Sequence, residues 1–359
     1  MRSVMGYNSS SLLQIRIPWI CMIQSLPSED DPTINFITRK AWDLPKQAQT
    51  PVEVYKNRRE FLKLLGVGTF GAGLTNSLVG CSQPTDAEIE AAGAVDPLPA
   101  AAASDYPAQQ NPEFEYGRPE TLKRHAAEFT NFFEFSEGKE NYRYVGKFQP
   151  APWTVEVDGL CSKPRTFDLD DVHQQFQLEE RMYRFRCVER WAMCVPWTGF
   201  LLRDLLKVVE PQPTAKFVVF ETFNRPDAAP GMKNQRLPWP YTEGLRMDEA
   251  TNELTFLATG IYGEPLPKQH GAPIRLVVPW KYGFKSAKSI VKITLTDKQP
   301  ATFWNTLAPH EYKFEANVDP EVPHPRWSQN REWMLPDTTN QYETVIYNGY
   351  GEYVGGLYS

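Results

Sequence analysis

The sequence contains few cysteines, and none has the spacing of a zinc site or a haem attachment site. Five cysteines occur in 359 residues, without a single Cys-x-x-Cys pair. The Gly-x-x-x-x-Gly-Lys loop that binds nucleotide phosphates is also absent, which disfavours a P-loop fold. The formal net charge is -6, so the basic domain expected of a nucleic-acid-binding protein is missing. We therefore expect no nucleic acid among its partners.

The composition is that of a folded protein rich in aromatic residues and proline. Hydrophobic residues make up 41% and charged residues 23% of the chain, which allows a packed core. There are 10 Trp, 16 Tyr and 20 Phe, and 31 Pro against 22 Gly. This balance favours an irregular, strand-rich body over a helical bundle.

The region around residue 58 has the layout of an export signal. Arg58 and Arg59 precede Phe-Leu-Lys and a mildly apolar, glycine-rich stretch that ends at residue 80. The stretch is shorter and more polar than the ~20 apolar residues of a spanning helix, and it resembles a twin-arginine signal read by a receptor. We expect an N-terminal extension at residues 1–56, the signal at 57–94, a flexible linker at 95–112 and the main domain at 113–359.

The signal carries two further expectations. The twin-arginine route transports folded proteins, which is the first indication of a cofactor inserted before export to the periplasm. The run Leu-Val-Gly before Cys81 resembles a lipoprotein cleavage box, which would place a lipid anchor on Cys81. An ordinary cleavage near residue 94 is the alternative.

Strand patterns outnumber helix patterns in the main domain. Alternating or continuous apolar runs predict strands at 153–159, 216–222, 273–279 and 289–296. Shorter amphipathic patterns predict helices at 120–129, 168–176 and 200–209. Because no regular strand–helix alternation occurs, we predict a single α+β domain with a mixed, mostly antiparallel sheet.

Cys187 is the main candidate for a catalytic or metal-ligating residue. Arg184, Arg186 and Arg190 surround it in sequence, and a positive field favours the thiolate, the form that acts as a nucleophile or as a metal ligand. A buried structural cysteine is the alternative. Three cysteines follow residue 82, an odd number, so at least one is unpaired; a disulfide between Cys187 and Cys194 stays open.

Two observations bear on the choice between nucleophile and metal ligand. The five histidines offer a base, but none sits in a recognisable nucleophile signature. A basic segment places four cations around a glycine-bearing turn with Ser286 nearby, which is a plausible nest for a phosphate. Its cations are Arg275, Lys281, Lys285 and Lys288. A solvated basic edge of a sheet is the alternative for this segment.

Several blocks together resemble the molybdopterin-dependent sulfite-oxidase-like family. They are Arg-Cys-Val-Glu at 186–189 with Val-Pro-Trp-Thr-Gly-Phe at 195–200, Gly-Ala-Pro-Ile-Arg-Leu at 271–276 with Pro-Trp-Lys-Tyr-Gly-Phe-Lys at 279–285, and Asn-Phe-Phe-Glu-Phe at 131–135. The stretches 324–329 and 347–350 agree as well. The resemblance covers about residues 115–359 and implies that 113–359 is a single molybdopterin-binding catalytic domain.

The resemblance implies a set of cofactor-binding residues around a molybdenum ligand, Cys187. Contacts to the pterin and its phosphate would come from Asn131, Glu134, Phe135, Thr222, His270, Arg275, Ser286, Ala287 and Lys288. Three positions depart from the family pattern. Phe133 lacks a hydroxyl that relatives often carry, His270 stands where a relative has Asn, and Cys194 replaces an aliphatic residue.

Within the family the resemblance is greatest to members that reduce methionine sulfoxide, free or in oxidised envelope proteins. It implies oxygen-atom transfer at a molybdenum–molybdopterin centre, with electrons from a haem-containing membrane subunit and the quinone pool. The catalytic domain would be monomeric apart from that subunit, and the twin-arginine translocase would act on it during export. A sulfite dehydrogenase of the same family and an exported, non-enzymatic binding module are the alternatives.

Overall fold

In the computed structural model of the chain, the described residues are 85–95, 104–114 and 120–359. The expected N-terminal extension, the twin-arginine pair and Cys81 lie outside them. All three described ranges fall within one compact unit of the chain. Within these ranges, no helix has the length and apolar character needed to cross a membrane.

Strands build most of the described part of the chain and form two sheets. Their bounds are β1 Gln109–Gln110, β2 Thr154–Gly159, β3 Arg165–Asp168, β4 Glu179–Arg186, β5 Trp191–Leu201, β6 Phe217–Thr222, β7 Thr242–Arg246, β8 Phe256–Ile261, β9 Glu264–Pro265, β10 Arg275–Val277, β11 Ile290–Thr296, β12 Arg331–Met334 and β13 Tyr342–Glu343. The four strands predicted from the sequence correspond to β2, β6, β10 and β11.

The larger sheet is centred on the hairpin of β4 and β5. Its path runs β1-β4-β5-β12-β13, and β8 joins it by pairing with β5, carrying β9 and β10 on its other edge. The hairpin pairs Glu179 with Gly199 at one end and Arg186 with Ala192 at the other. Ten of the eleven residues of β5 are buried, because this strand lies in the middle of the sheet with both faces covered.

The smaller sheet has the order β3-β2-β11-β6-β7. In β2 the valines at 155 and 157 are buried while Thr154 and Glu156 are exposed, which explains the alternation in the sequence. β2 and β11 pair in parallel, as do β1 with β4 and β5 with β12, and the other strand pairs are antiparallel. The prediction of an α+β fold with mixed, mostly antiparallel sheet is confirmed.

The described helices are short. They are α1 Asp86–Gly93, α2 Lys123–Glu128, α3 Leu169–Gln175, α4 Leu202–Val209, α5 Met247–Thr251, α6 Phe303–Leu307 and α7 Gly351–Val354. α2 begins later than predicted, because the Thr121 backbone N–H donates to the Cys194 carbonyl (2.8 Å) and holds the preceding chain against β5.

Two segments before the main domain are more ordered than the sequence indicates. α1, inside the span assigned to the signal, buries Ile89, and Asp86 accepts a hydrogen bond from Arg124 (2.8 Å). β1, inside the span assigned to a flexible linker, pairs in parallel with the start of β4. The Tyr106 hydroxyl also donates to Thr259 (2.8 Å). These contacts join positions far apart in the chain, so a local composition rich in Ala and Pro does not predict them.

Two of the arginines before Cys187 are buried and share one carboxylate. Arg184 and Arg186 lie two residues apart on β4, so their side chains leave the strand on the same face. Glu332 of β12, fully buried, pairs with Arg184, and its second oxygen accepts from Nε of Arg186 at 2.9 Å. Burial lowers the pKa of Arg186 to about 10. Glu332 therefore offsets part of the expected positive field around Cys187.

We predict that Glu332→Gln destabilises the protein by about 3–5 kcal/mol, because removing one partner leaves buried charge uncompensated. Urea unfolding of purified protein measures the change. The matched control is Glu210→Gln, which breaks the exposed pair with Lys163 (2.6 Å) and is expected to cost less than about 1 kcal/mol. Equal effects of the two substitutions would show that the buried pair does not stabilise the fold.

Candidate active site

A tight turn between β4 and β5 holds Cys187. Its backbone N–H donates to the Trp191 carbonyl (2.8 Å), and the Arg190 N–H donates back to the Cys187 carbonyl (3.0 Å). Arg190 has a φ of 78°, a left-handed conformation that closes the turn. Cys187 is 6% exposed and lines a cavity. The hairpin therefore places a single thiol in the wall of this cavity.

The sulfur lies in a defined set of hydrogen-bond donors. Nδ2 of Asn131 lies 3.3 Å and the backbone nitrogen of Glu189 lies 3.4 Å from Sγ. Oε2 of Glu189 accepts from Asn131 (2.9 Å), from the Trp191 indole (3.1 Å) and from Lys139. Burial alone would raise the pKa of Glu189, but hydrogen bonds from Lys139 and Asn131 lower it below its usual value. Glu189 is therefore a fixed carboxylate beside the sulfur.

The electrostatics of Cys187 differ from the sequence-based expectation. Burial raises the pKa of its thiol to about 12, and the Glu189 carboxylate adds to this rise. A cysteine nucleophile needs a lowered pKa, so the structure disfavours that role. A metal ion would displace the proton and bind the thiolate, because a metal's charge outweighs the effect of burial.

No disulfide links the cysteines of the described ranges. Cys161, Cys187 and Cys194 are all buried. Cys194 lies on β5 opposite Arg184, several residues from the turn. The alternative of a disulfide between Cys187 and Cys194 is therefore wrong, and the Cys187 sulfur is available as a ligand.

The same cavity is lined by two cationic side chains, Arg275 and Lys288. Arg275 is buried and donates to the carbonyls of His270 (2.9 Å) and Ser286 (3.4 Å). In the part of the chain that the structure describes, no carboxylate lies within salt-bridge distance of Arg275 or Lys288. Burial lowers the pKa of Arg275 to about 9 and that of His270 to about 3. A buried guanidinium without a carboxylate within salt-bridge distance, such as that of Arg275, fits an anionic group such as a phosphate.

The four predicted cations of the basic segment divide into two pairs. Lys281 is buried against Glu249 (2.6 Å) and Lys285 against Glu243 (2.7 Å), so neither has charge left for a ligand. Arg275 and Lys288 line the cavity instead. The prediction of a four-cation nest is wrong in this respect, because glutamates distant in sequence neutralise two of its members.

Most of the predicted cofactor-binding residues meet at this one cavity. Its lining includes Asn131, Glu134, Cys187, His270, Arg275, Ser286, Ala287 and Lys288. Thr222 and Phe135 lie behind it. The Thr222 hydroxyl donates to Glu134 (3.1 Å), and Phe135 packs edge-on against Phe132 at a ring separation of 4.8 Å. Burial raises the pKa of Glu134 and lowers the pKa of Lys288. The positive charge of Lys288 partly offsets the rise at Glu134, and the negative charge of Glu134 partly offsets the fall at Lys288.

Sequence reasoning missed several residues of the site. Lys139 contacts both Asn131 and Glu189, but a single lysine in a polar stretch carries no signal. An aromatic wall is formed by Phe133, Trp191, Tyr241, Phe284, Trp304 and Tyr312. The high aromatic content of the chain is the only sequence signal for this wall. The departure at position 133 places a phenyl ring edge-on to Trp304, with ring centroids 4.9 Å apart.

The donor set fits a molybdopterin. Thiolates are the soft ligands that suit a dithiolene-bound metal, and Cys187 supplies one. The unpaired guanidinium of Arg275 and the Lys288 ammonium suit the phosphate of the pterin. The residues present are consistent with the cofactor implied by the sequence.

The fold and site define a molybdopterin-dependent oxidoreductase. The family described as "Oxidoreductase molybdopterin binding domain" matches residues 142–304, which include Cys187, Arg275 and Lys288 but not Asn131. The family match confirms the expected cofactor class, molybdenum bound to molybdopterin.

Two curated relatives refine the assignment. The chain is 44% identical over 320 residues to the protein-methionine-sulfoxide reductase catalytic subunit MsrP of Burkholderia mallei, covering 88% of this chain and 93% of that protein. It is 42% identical over 326 residues to the protein of the same name from Ralstonia nicotianae, covering 88% and 94%. The chain belongs to the family of protein-methionine-sulfoxide reductase catalytic subunits.

Among solved structures, the sulfane dehydrogenase SoxCD of Paracoccus pantotrophus aligns with 64% of this chain and 60% of its own. The TM-score is 0.38 and the sequence identity is 19%, which is too low to support a conclusion about substrate or site.

We predict that Cys187→Ala removes one sulfur ligand from the metal, which X-ray absorption at the molybdenum edge would count. Turnover should fall by more than about 100-fold, because substitution of residues that only hydrogen-bond to a metal ligand already lowers metal affinity or activity 10–100-fold. Cys194→Ala is the matched control, because Cys194 is also buried and outside any disulfide, and the sulfur count of this variant should equal that of the wild type. Undiminished turnover in Cys187→Ala would contradict the ligand role.

We predict that Lys288→Met weakens retention of the pterin by about 10- to 100-fold, the loss of one charged hydrogen bond. Pterin released by oxidative denaturation and measured by fluorescence gives the occupancy after gel filtration. Lys292→Met is the control, because Lys292 pairs with Asp158 (2.7 Å) outside the cavity. Equal occupancy in the two variants would exclude a phosphate contact for Lys288.

Proposed function

We propose that the protein reduces methionine sulfoxide to methionine, free or within oxidised proteins of the cell envelope. The observation that carries the proposal is the Cys187 thiol, held by Asn131 and Glu189 in the wall of a cavity that Arg275 and Lys288 also line. The printed names of the two relatives support the choice of substrate.

The chemistry requires two electrons and two protons for each sulfoxide, which leaves a thioether and water. The molybdenum–molybdopterin group supplies the oxygen-accepting, redox-active centre when bound. The protein's own residues bind and orient it: Cys187 provides the thiolate ligand, and Asn131 and Glu189 fix the surroundings of the sulfur. The aromatic wall excludes water and offers a surface on which the apolar part of a methionine side chain can pack.

The charges of the cavity favour a neutral sulfoxide over sulfite. A site for a dianion would need several arginines converging on the metal, yet among the described residues that line the cavity Arg275 is the single arginine. Arg184 and Arg186 share the carboxylate of Glu332, and Lys139 is paired with Glu189. Close to the sulfur, positive and negative side chains therefore occur together. This environment supports methionine sulfoxide over the alternative substrate, sulfite.

We also propose the cellular setting implied by the sequence. Export by the twin-arginine translocase, with a cofactor inserted beforehand, would bring the enzyme to the periplasm, where a lipid on Cys81 is a further option. Electrons would come from a haem-containing membrane subunit and the quinone pool, and the catalytic domain would otherwise be monomeric. The twin-arginine pair at residues 58 and 59 supports this part of the proposal.

We predict turnover with methionine sulfoxide and little or none with sulfite. Purified protein from a molybdopterin-producing host is assayed with a reduced viologen dye as donor for the sulfoxide, and with an oxidised dye as acceptor for sulfite. Oxidised protein treated with the enzyme is then analysed by mass spectrometry for loss of the added oxygen. Activity with sulfite alone would establish the sulfite dehydrogenase instead, and absence of both molybdenum and pterin would establish a binding module.

A further inference from the structure

Lys139 joins the two residues that surround the Cys187 sulfur. Its ammonium nitrogen lies 2.5 Å from Oδ1 of Asn131 and also donates to Oε2 of Glu189. Asn131 in turn directs Nδ2 to Sγ of Cys187 (3.3 Å) and to the same Glu189 oxygen (2.9 Å). Lys139 therefore donates a hydrogen bond to each of the two polar side chains beside the sulfur, Asn131 and Glu189.

The chemistry of the lysine fixes the orientation of the Asn131 amide. A lysine ammonium has three donors and no acceptor, so the amide must turn its oxygen to Lys139 and its NH2 to Cys187 and Glu189. In the reversed orientation the NH2 would face the ammonium, and the amide oxygen would face a carboxylate and a thiolate. All three of those contacts would be repulsive.

We propose that Lys139 is a positioning residue that locks the Asn131 amide so that its N–H faces the metal-ligating sulfur. The inference rests on the proposed ligand role of Cys187. An N–H donated to a thiolate withdraws electron density from it, and hydrogen bonds to ligating sulfurs are a general means of setting the potential of a metal centre. Locking the amide keeps that donor in place and raises the potential of the molybdenum.

The backbone holds Lys139 and Asn131 together without the lysine side chain. The carbonyl of Lys139 accepts from the Thr130 N–H (2.9 Å) and from the Asn141 N–H (2.9 Å). The side chain of Asn141, fully buried, donates to the carbonyls of Thr130 (2.8 Å) and Gly138 (3.0 Å). A substitution confined to the Lys139 side chain leaves these bonds intact, so its variants are expected to fold and to load the cofactor.

The test is a redox titration of the loaded enzyme, followed by the electron paramagnetic resonance signal of Mo(V). We expect Lys139→Met to shift the Mo(VI)/Mo(V) potential to more negative values and to alter the signal. Lys139→Arg, which retains charge and donors, should restore both. Lys147→Met, an exposed lysine in the same region, is the matched control and should behave as the wild type. Lys139→Gln provides a second uncharged variant, expected to shift the potential in the same direction.

A double-mutant comparison separates orientation from simple charge. In an Asn131→Leu background no amide remains to be oriented, so adding Lys139→Met should cause no further shift of the potential. A shift of the same size in both backgrounds, or no shift in the wild-type background, would overturn the inference. Because the readout is the metal and not the substrate, it stays interpretable whichever sulfur compound the enzyme uses. Lack of molybdenum in the unmodified protein would instead contradict the proposed function.

Discussion

The position of the Cys187 sulfur depends on the buried carboxylate of Glu332. Glu332 holds Arg184 and Arg186, and Arg186 also donates to the Cys187 carbonyl and to Gln329 (2.9 Å). The amide of Gln329 donates to the carbonyl of Val188 (2.9 Å), as the indole of Trp327 does (2.9 Å). A segment more than 130 residues further along the chain therefore fixes the backbone of the turn. Because these groups are buried, the arrangement tolerates little movement.

The cations near the cavity fall into two groups, those with a buried carboxylate partner and those available to bind a ligand. Lys281 and Lys285 each have a buried glutamate at hydrogen-bond distance, and they stabilise the fold around the cavity. Arg275 donates only to backbone carbonyls, so its charge remains available to an anion. Desolvating an unpaired guanidinium is costly, and a bound phosphate would remove that cost. The same segment of sequence thus serves two purposes that only the tertiary structure distinguishes.

The sequence predicted the strands better than the electrostatics. Alternating residues such as those of β2 carry local information, and most of the residues chosen from the family blocks line one cavity. The raised pKa of the Cys187 thiol comes mainly from burial and from Glu189, and burial depends on tertiary packing, so the neighbouring arginines did not predict it. Lys139 was missed for the same reason, since its role exists only through contact with Asn131 and Glu189. Local patterns specify elements, whereas charge balance depends on which elements meet.

The surroundings of the sulfur come from two independently braced parts of the chain. The hairpin turn is held by Glu332 and its neighbours, and the loop that carries Asn131 and Lys139 is closed by the buried Asn141. Hydrogen bonds within the protein therefore hold the donors around the sulfur in one arrangement. Such preorganisation lowers the conformational cost of holding the cofactor. It would suit an enzyme that, as proposed, receives its cofactor once and then crosses a membrane in the folded state.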